Sequence, residues 1–130
     1  MQNTSVNLEE RRTIVSVVED DVAMGAALRD LLNSAGCEAI IFERGESFIR
    51  SGAASSCDVI ITDIELAGFD GLQILGAEAI GKIPVIVITA LTDHFLERRA
   101  ADRGCFAFLR KPFDPAILLE HVRQAAASSR

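Results

Sequence analysis

Apolar residues gather in short runs separated by longer amphipathic stretches. Ile14-Val15-Ser16-Val17-Val18, Val59-Ile60-Ile61-Thr62 and Val85-Ile86-Val87-Ile88 are apolar with little alternation. That pattern predicts strands buried on both faces, as in a parallel sheet covered by helices. Strands are expected over 12–18, 38–42, 58–63, 84–88 and 105–109, with Pro84 opening the fourth, where its missing N–H does least harm. Helical spacing of Val22, Leu28, Leu31, Leu32 and Ala35 predicts a first helix over 22–35, capped by Asp20 or Asp21 and stopped at Gly36. A short helix is expected over 46–50, between Gly45 and Gly52. Residues 67–70 with Gly71 read as a turn. A third helix is expected over 72–80, weakened by Gly76. A fourth is expected over 94–103, stopped by Gly104. Asp114-Pro115 is a helix-start signal, a capping side chain followed by proline at the first helical position. That fifth helix should run to Ala127, with Ile117, Leu118 and Val122 facing inward.

Five strands alternating with five helices argue for a doubly wound α/β fold, a single three-layer domain around a five-stranded parallel sheet. Right-handed crossovers leave few topologies, and 2-1-3-4-5 is the usual order for five units. Residues 12–127 are read as the domain, 1–11 as an N-terminal arm and 128–130 as a tail. In such a sheet, ligands bind at the C-terminal edge. Four runs end there in reactive side chains: Glu19-Asp20-Asp21, Asp63, Thr89 and Lys111. The first and third strands are neighbours at the switch point, so Glu19, Asp20 and Asp63 should converge. Grouped carboxylates repel unless a cation neutralises them, and hard oxygen ligands favour Mg2+. An acid ending a buried apolar strand, as Asp63 does, is costly without such a role. Lys111 brings an ammonium to the same edge. Acids, hydroxyl and ammonium together make a site able to hold a divalent cation and a phosphoryl group.

Composition narrows the choice. Of 130 residues, 49% are hydrophobic, which excludes a disordered chain. A net charge of -6 counts against direct nucleic-acid binding, and the absence of Trp and Tyr leaves only Phe for base stacking. No apolar stretch is long enough to span a membrane, and the polar N-terminus lacks the centre of a signal peptide, so a cytoplasmic location is expected. Cys37, Cys57 and Cys105 have no metal-ligand spacing and read as small buried thiols. His94 and His121 read as surface residues on helices. No Gly-rich phosphate loop and no Ser-His-Asp or Cys-His arrangement is present.

These positions together resemble the receiver domain of two-component response regulators. The motifs are VVEDD at 17–21, IITD at 60–63, PVIVITA at 84–90 and FLRKPFD at 108–114, with Gly71 eight residues after Asp63. The resemblance implies a flavodoxin-like fold and a phosphorylation-activated switch rather than a conventional enzyme. It implies Asp63 as phosphoacceptor, Glu19 and Asp20 as Mg2+ ligands with Asp63, and the Glu65 backbone carbonyl as a further ligand. Thr89 would be the switch hydroxyl, Lys111 the phosphate-pairing lysine and Phe108 the aromatic switch, with a cis bond before Pro112. The implied donor is a phosphohistidine on a histidine kinase or histidine phosphotransfer protein. The first helix, around Ala23, Ala26, Ala27 and Asp30, is where the kinase would touch. A phosphorylation-dependent homodimer through the fourth helix, fifth strand and fifth helix is also implied. The KPF motif resembles receivers that often precede a DNA-binding domain.

Departures from the family pattern are local. Leu66-Ala67 stand where Met-Pro is usual, and the stretch from Gly71 to Pro84 is short. Leu91 occupies a position that tunes phosphoryl lifetime in the family, and an apolar residue there predicts a long-lived phosphoryl group. Two other readings share part of the pattern: an aspartate-nucleophile phosphohydrolase, and a receiver-like interaction module that is never phosphorylated.

Overall fold

In the computed structural model, residues 12–66 and 69–128 are described. The expected 1–11 arm, part of the turn after Leu66, and residues 129–130 of the tail lie outside them. Five parallel strands form the sheet: β1 (Ile14–Val18), β2 (Glu38–Phe42), β3 (Val59–Asp63), β6 (Val85–Thr89) and β7 (Ala107–Arg110). Their order is β2-β1-β3-β6-β7, which is 2-1-3-4-5 when only the long strands are counted. Between β3 and β6 the chain adds a small antiparallel hairpin, β4 (Glu65–Leu66) with β5 (Phe69–Asp70), where the sequence suggested only a turn.

Side chains alternate across a strand, so each buried strand feeds two cores. Ile60 and Val87 face a core with Phe48 and Ala100. Ile61 and Ile86 face another with Leu28, Leu32, Leu118 and Val122. α1 (Val22–Ser34) and α4 (Pro115–Ser128) therefore cover one face, and α2 (Gly45–Ser51) and α3 (His94–Asp102) the other.

Start and stop signals act as expected. The Asp21 side chain accepts from the N–H groups of Ala23 and Met24, and that of Asp114 from Ala116. Gly36 and Gly104 close α1 and α3 with φ of +86°.

Three expectations are corrected. Residues 72–80 form no α-helix. Two 3-10 turns, Gly71–Ile74 and Glu78–Ile80, stand there, separated by Gly76 at φ +83°. The left-handed backbone at Gly76 interrupts the helix, yet Leu72, Ile74, Leu75 and Ile80 still reach the core. The described residues thus hold four α-helices rather than five. Val22, the first residue of α1, is 68% exposed, and Ile117 is 49% exposed because Leu118, Val122 and Ala125 form the inward face of α4. Ala35 is also exposed, and the buried face of α1 is Gly25, Leu28 and Leu32. His94 is exposed, but His121 is half-buried in α4.

Cys37 and Cys57 are buried and Cys105 is half-buried, and all three are free thiols whose pKa burial pushes up. Among the described residues, no helix is long and apolar enough to cross a membrane.

Candidate phosphoryl-transfer site

Strand register delivers the acids. β1 and β3 pair with Val18 opposite Thr62, so the next residues, Glu19 and Asp63, emerge side by side. The Glu19 N–H continues the ladder by donating to the Phe42 carbonyl at 2.9 Å, which fixes the carboxylate at the sheet edge. β7 continues in the same way, the Lys111 N–H donating to the Thr89 carbonyl at 2.7 Å. The Lys111 ammonium then donates to Glu19 Oε1 and to Asp63 Oδ2, both at 2.8 Å. The Lys111–Pro112 bond is cis, as the resemblance implied.

Both acceptors are buried: Glu19 is 1% exposed and Asp63 5%. Asp63 Oδ1 accepts from the Glu65 N–H at 3.0 Å, and Glu19 Oε2 from the Asp21 N–H at 3.2 Å. Burial raises the Glu19 carboxyl above the ordinary glutamate range, the Lys111 hydrogen bond opposes this, and the Asp63 charge adds to it. Burial pulls Lys111 down, but its hydrogen bonds to Asp63 and Glu19 outweigh that and hold it above the usual lysine value. Asp20 is exposed beside this pair. One carboxylate oxygen from each of Glu19, Asp20 and Asp63 lies within 4.8 Å of the others, a spacing that could hold a metal ion. Two buried acids sharing one ammonium make a donor set that suits a hard divalent cation.

Thr89 and Phe108 stand apart from this cluster. Thr89 is fully buried at the end of β6, and its hydroxyl accepts from the Leu91 N–H at 3.0 Å rather than bonding Asp63. Phe108 lies on β7 opposite Val87, half-buried, with the Arg110 guanidinium 5.3 Å from its ring centroid. Glu65 sits next to the acceptor, tied to it through its N–H.

Two residues gain importance only in three dimensions. The Gly71 N–H donates to the Ile64 carbonyl at 2.9 Å, and a Cβ on Gly71 would lie 2.0 Å from the Asp63 carbonyl oxygen. Gly71 thus lets the chain fold back against the backbone of Asp63. Arg110 reaches over the β6–α3 loop, and its only sequence signal was its place beside Lys111.

A doubly wound sheet with acids and a lysine meeting at the β1–β3 switch point defines the class of phosphoryl-switch domains. The chain belongs to the response regulator receiver domain family, whose model matches residues 15–123. The DNA-binding transcriptional regulator NtrC of Escherichia coli K12 is 36% identical over 106 residues, covering 80% of this chain and 23% of that protein. Nodulation protein W of Bradyrhizobium diazoefficiens is 34% identical over 121 residues, covering 92% and 53%. The chain thus spans about a quarter to a half of these curated relatives. The beryllofluoride-activated N-terminal receiver domain of Klebsiella pneumoniae RstA superposes with a TM-score of 0.81 at 23% identity, covering 88% of this chain and 98% of that one. The Francisella response regulator 1452 receiver domain gives 0.82 at 23% identity, covering 92% and 100%. These structures establish the likeness of fold. The protein is thus a receiver domain of the response regulator kind.

Proposed function

We propose that Asp63 is the phosphoacceptor and that residues 12–127 act as one receiver unit. The carrying observation is the Lys111 ammonium, 2.8 Å from both the Asp63 and the Glu19 carboxylates. The Asp63 carboxylate attacks the phosphorus of a partner's phosphohistidine in line. A P–O bond forms, the P–N bond breaks, and the imidazole leaves with the electron pair. Glu19, Asp20 and Asp63 would hold Mg2+, with the Glu65 carbonyl as a further ligand, and the ion would offset charge on the transferring oxygens. Lys111 does the same from the protein side, and such electrostatic positioning is most of what phosphoryl transfer asks of a protein. The product dianion then competes for Lys111 and draws in the Thr89 hydroxyl, since charge-assisted hydrogen bonds are the stronger ones. Phe108 follows inward.

The output is a changed surface rather than turnover. The face made by α3, β7 and α4 would carry a phosphorylation-dependent homodimer, and Phe95 in the first turn of α3, 70% exposed, supports this. Met24, Ala27, Leu28, Leu31, Phe113 and Pro115 line an apolar groove between α1 and the start of α4 that suits kinase docking. Three free thiols fit a reducing cytoplasm.

The test is transfer of labelled phosphoryl from acetyl phosphate. Asp63→Asn should abolish it, and labelling at the wild-type rate would remove Asp63 from the role. Leu91 packs against the core and offers a water no polar side-chain partner. The label on wild-type protein should therefore outlast that on Leu91→Asn severalfold in a chase.

A further inference from the structure

β7 ends at Arg110, which pairs in register with Thr89 at the end of β6. From there the guanidinium folds back over the β6–α3 loop. Its Nη1 donates to the Leu91 carbonyl and its Nη2 to the Asp93 carbonyl at 3.5 Å. Nη2 also lies 3.6 Å from Glu97 Oε1 in the first turn of α3. The same group stands 5.3 Å from the centroid of the Phe108 ring. One planar fork therefore touches the loop, the helix after it and the aromatic residue, a combination that a lysine ammonium cannot reproduce.

Leu91 is the mechanical link. Its N–H donates to Thr89 Oγ1 at 3.0 Å while its carbonyl accepts from Arg110. Drawing the Thr89 hydroxyl toward Asp63 carries the Leu91 N–H with it and pulls the Leu91 carbonyl off the guanidinium. Phe108 cannot turn inward without leaving the same guanidinium. None of these contacts serves the Glu19–Asp63–Lys111 cluster.

We propose that Arg110 is a positioning residue that latches the β6–α3 loop and Phe108 in the resting arrangement, and that phosphorylation must open this latch. The proposal rests on the reading of Asp63 as acceptor and adds the element that opposes the switch. Losing the latch favours the activated arrangement before any phosphoryl group arrives.

The experiment uses the full chain as wild type, Arg110→Ala and Arg110→Lys. Arg110→Lys keeps the charge and the packed stem, and it carries the test if the alanine variant folds poorly. Amide hydrogen exchange without metal reads the loop. Titration with Mg2+ and beryllium fluoride, a phosphoryl mimic, reads the switch. Arg110→Ala should speed exchange at the amides of Leu91 and Leu96 by about tenfold, the scale of one lost hydrogen bond to a charged donor, and leave β3 unchanged. It should bind beryllium fluoride more tightly by a similar factor, with Arg110→Lys between the two. A merely structural role would not tighten binding. Unchanged loop exchange, or weaker beryllium fluoride binding in the variants, overturns the latch. Failure of the wild type to bind beryllium fluoride overturns the reading of Asp63 instead, and loop exchange then still decides whether Arg110 holds the loop.

Discussion

A Cβ on Gly71 would stand 2.0 Å from the Asp63 carbonyl oxygen and 2.8 Å from the Ile64 Cα, closer than any atom can come without moving backbone. Backbone gives way poorly, so Gly71→Ala should displace Asp63 itself. A urea unfolding curve should show a loss of about 2–3 kcal/mol, the upper range for overpacking. Mg2+-dependent labelling at Asp63 should fall with it. Glycine was visible in the sequence at this position, but its reason was not. Nothing in the spacing from Asp63 to Gly71 says that the chain doubles back onto the Asp63 carbonyl. Arg110 was hidden for a similar cause, since its contacts depend on the pairing of Thr89 with Arg110 across two strands.

At the scale of elements, the three central strands were readable because a strand buried on both faces must be apolar throughout, and a reactive residue at its end stands out, while the edge strands β2 and β7 are only partly buried. Val59–Asp63 is buried at all five positions and Val85–Thr89 likewise. Residues 72–80 were misread because an apolar stretch between two strands can reach the core from two tight turns as well as from a helix. Gly76 decides between them through its left-handed backbone at φ +83°, with open space where a Cβ would go. Gly76→Ala should therefore cost strain but no clash, about 1–2 kcal/mol in the same unfolding measurement. Asp63 labelling should survive, in contrast to Gly71→Ala. The facing of Ile117 was misjudged because its neighbour Leu118, about 100° further round the helix, is the residue that meets the sheet.

Across the whole molecule, the site is a stability device as well as a chemical one. The folded protein holds the Lys111 proton more tightly than the unfolded chain does. Its contribution is full below the ordinary lysine value of about 10.4 and is lost as pH rises through the raised folded value. The chain has two lysines and no tyrosine, and its three thiols, also raised by burial, are common to the wild type and the variant, so the difference between the two isolates Lys111. Lys111→Met leaves two buried carboxylates without their cation and should cost about 3 kcal/mol near pH 8. The gap to the wild type should close as pH climbs past that raised value, which paired urea midpoints from pH 8 to alkaline conditions would register. A gap that stays constant across this range would mean that the ammonium does not hold the two acids. The hydrogen bonds that Lys111 makes reach back 48 residues to Asp63 and 92 to Glu19. Contacts of such sequence separation close only after the intervening loops have been ordered. During synthesis, Glu19, Asp20 and Asp63 all leave the ribosome well before β7, and the acids then have no ammonium beside them. Under the proposed role of Asp63, a nascent chain that has not yet reached β7 should take up no phosphoryl group, so that labelling would report a protein made to the end of that strand.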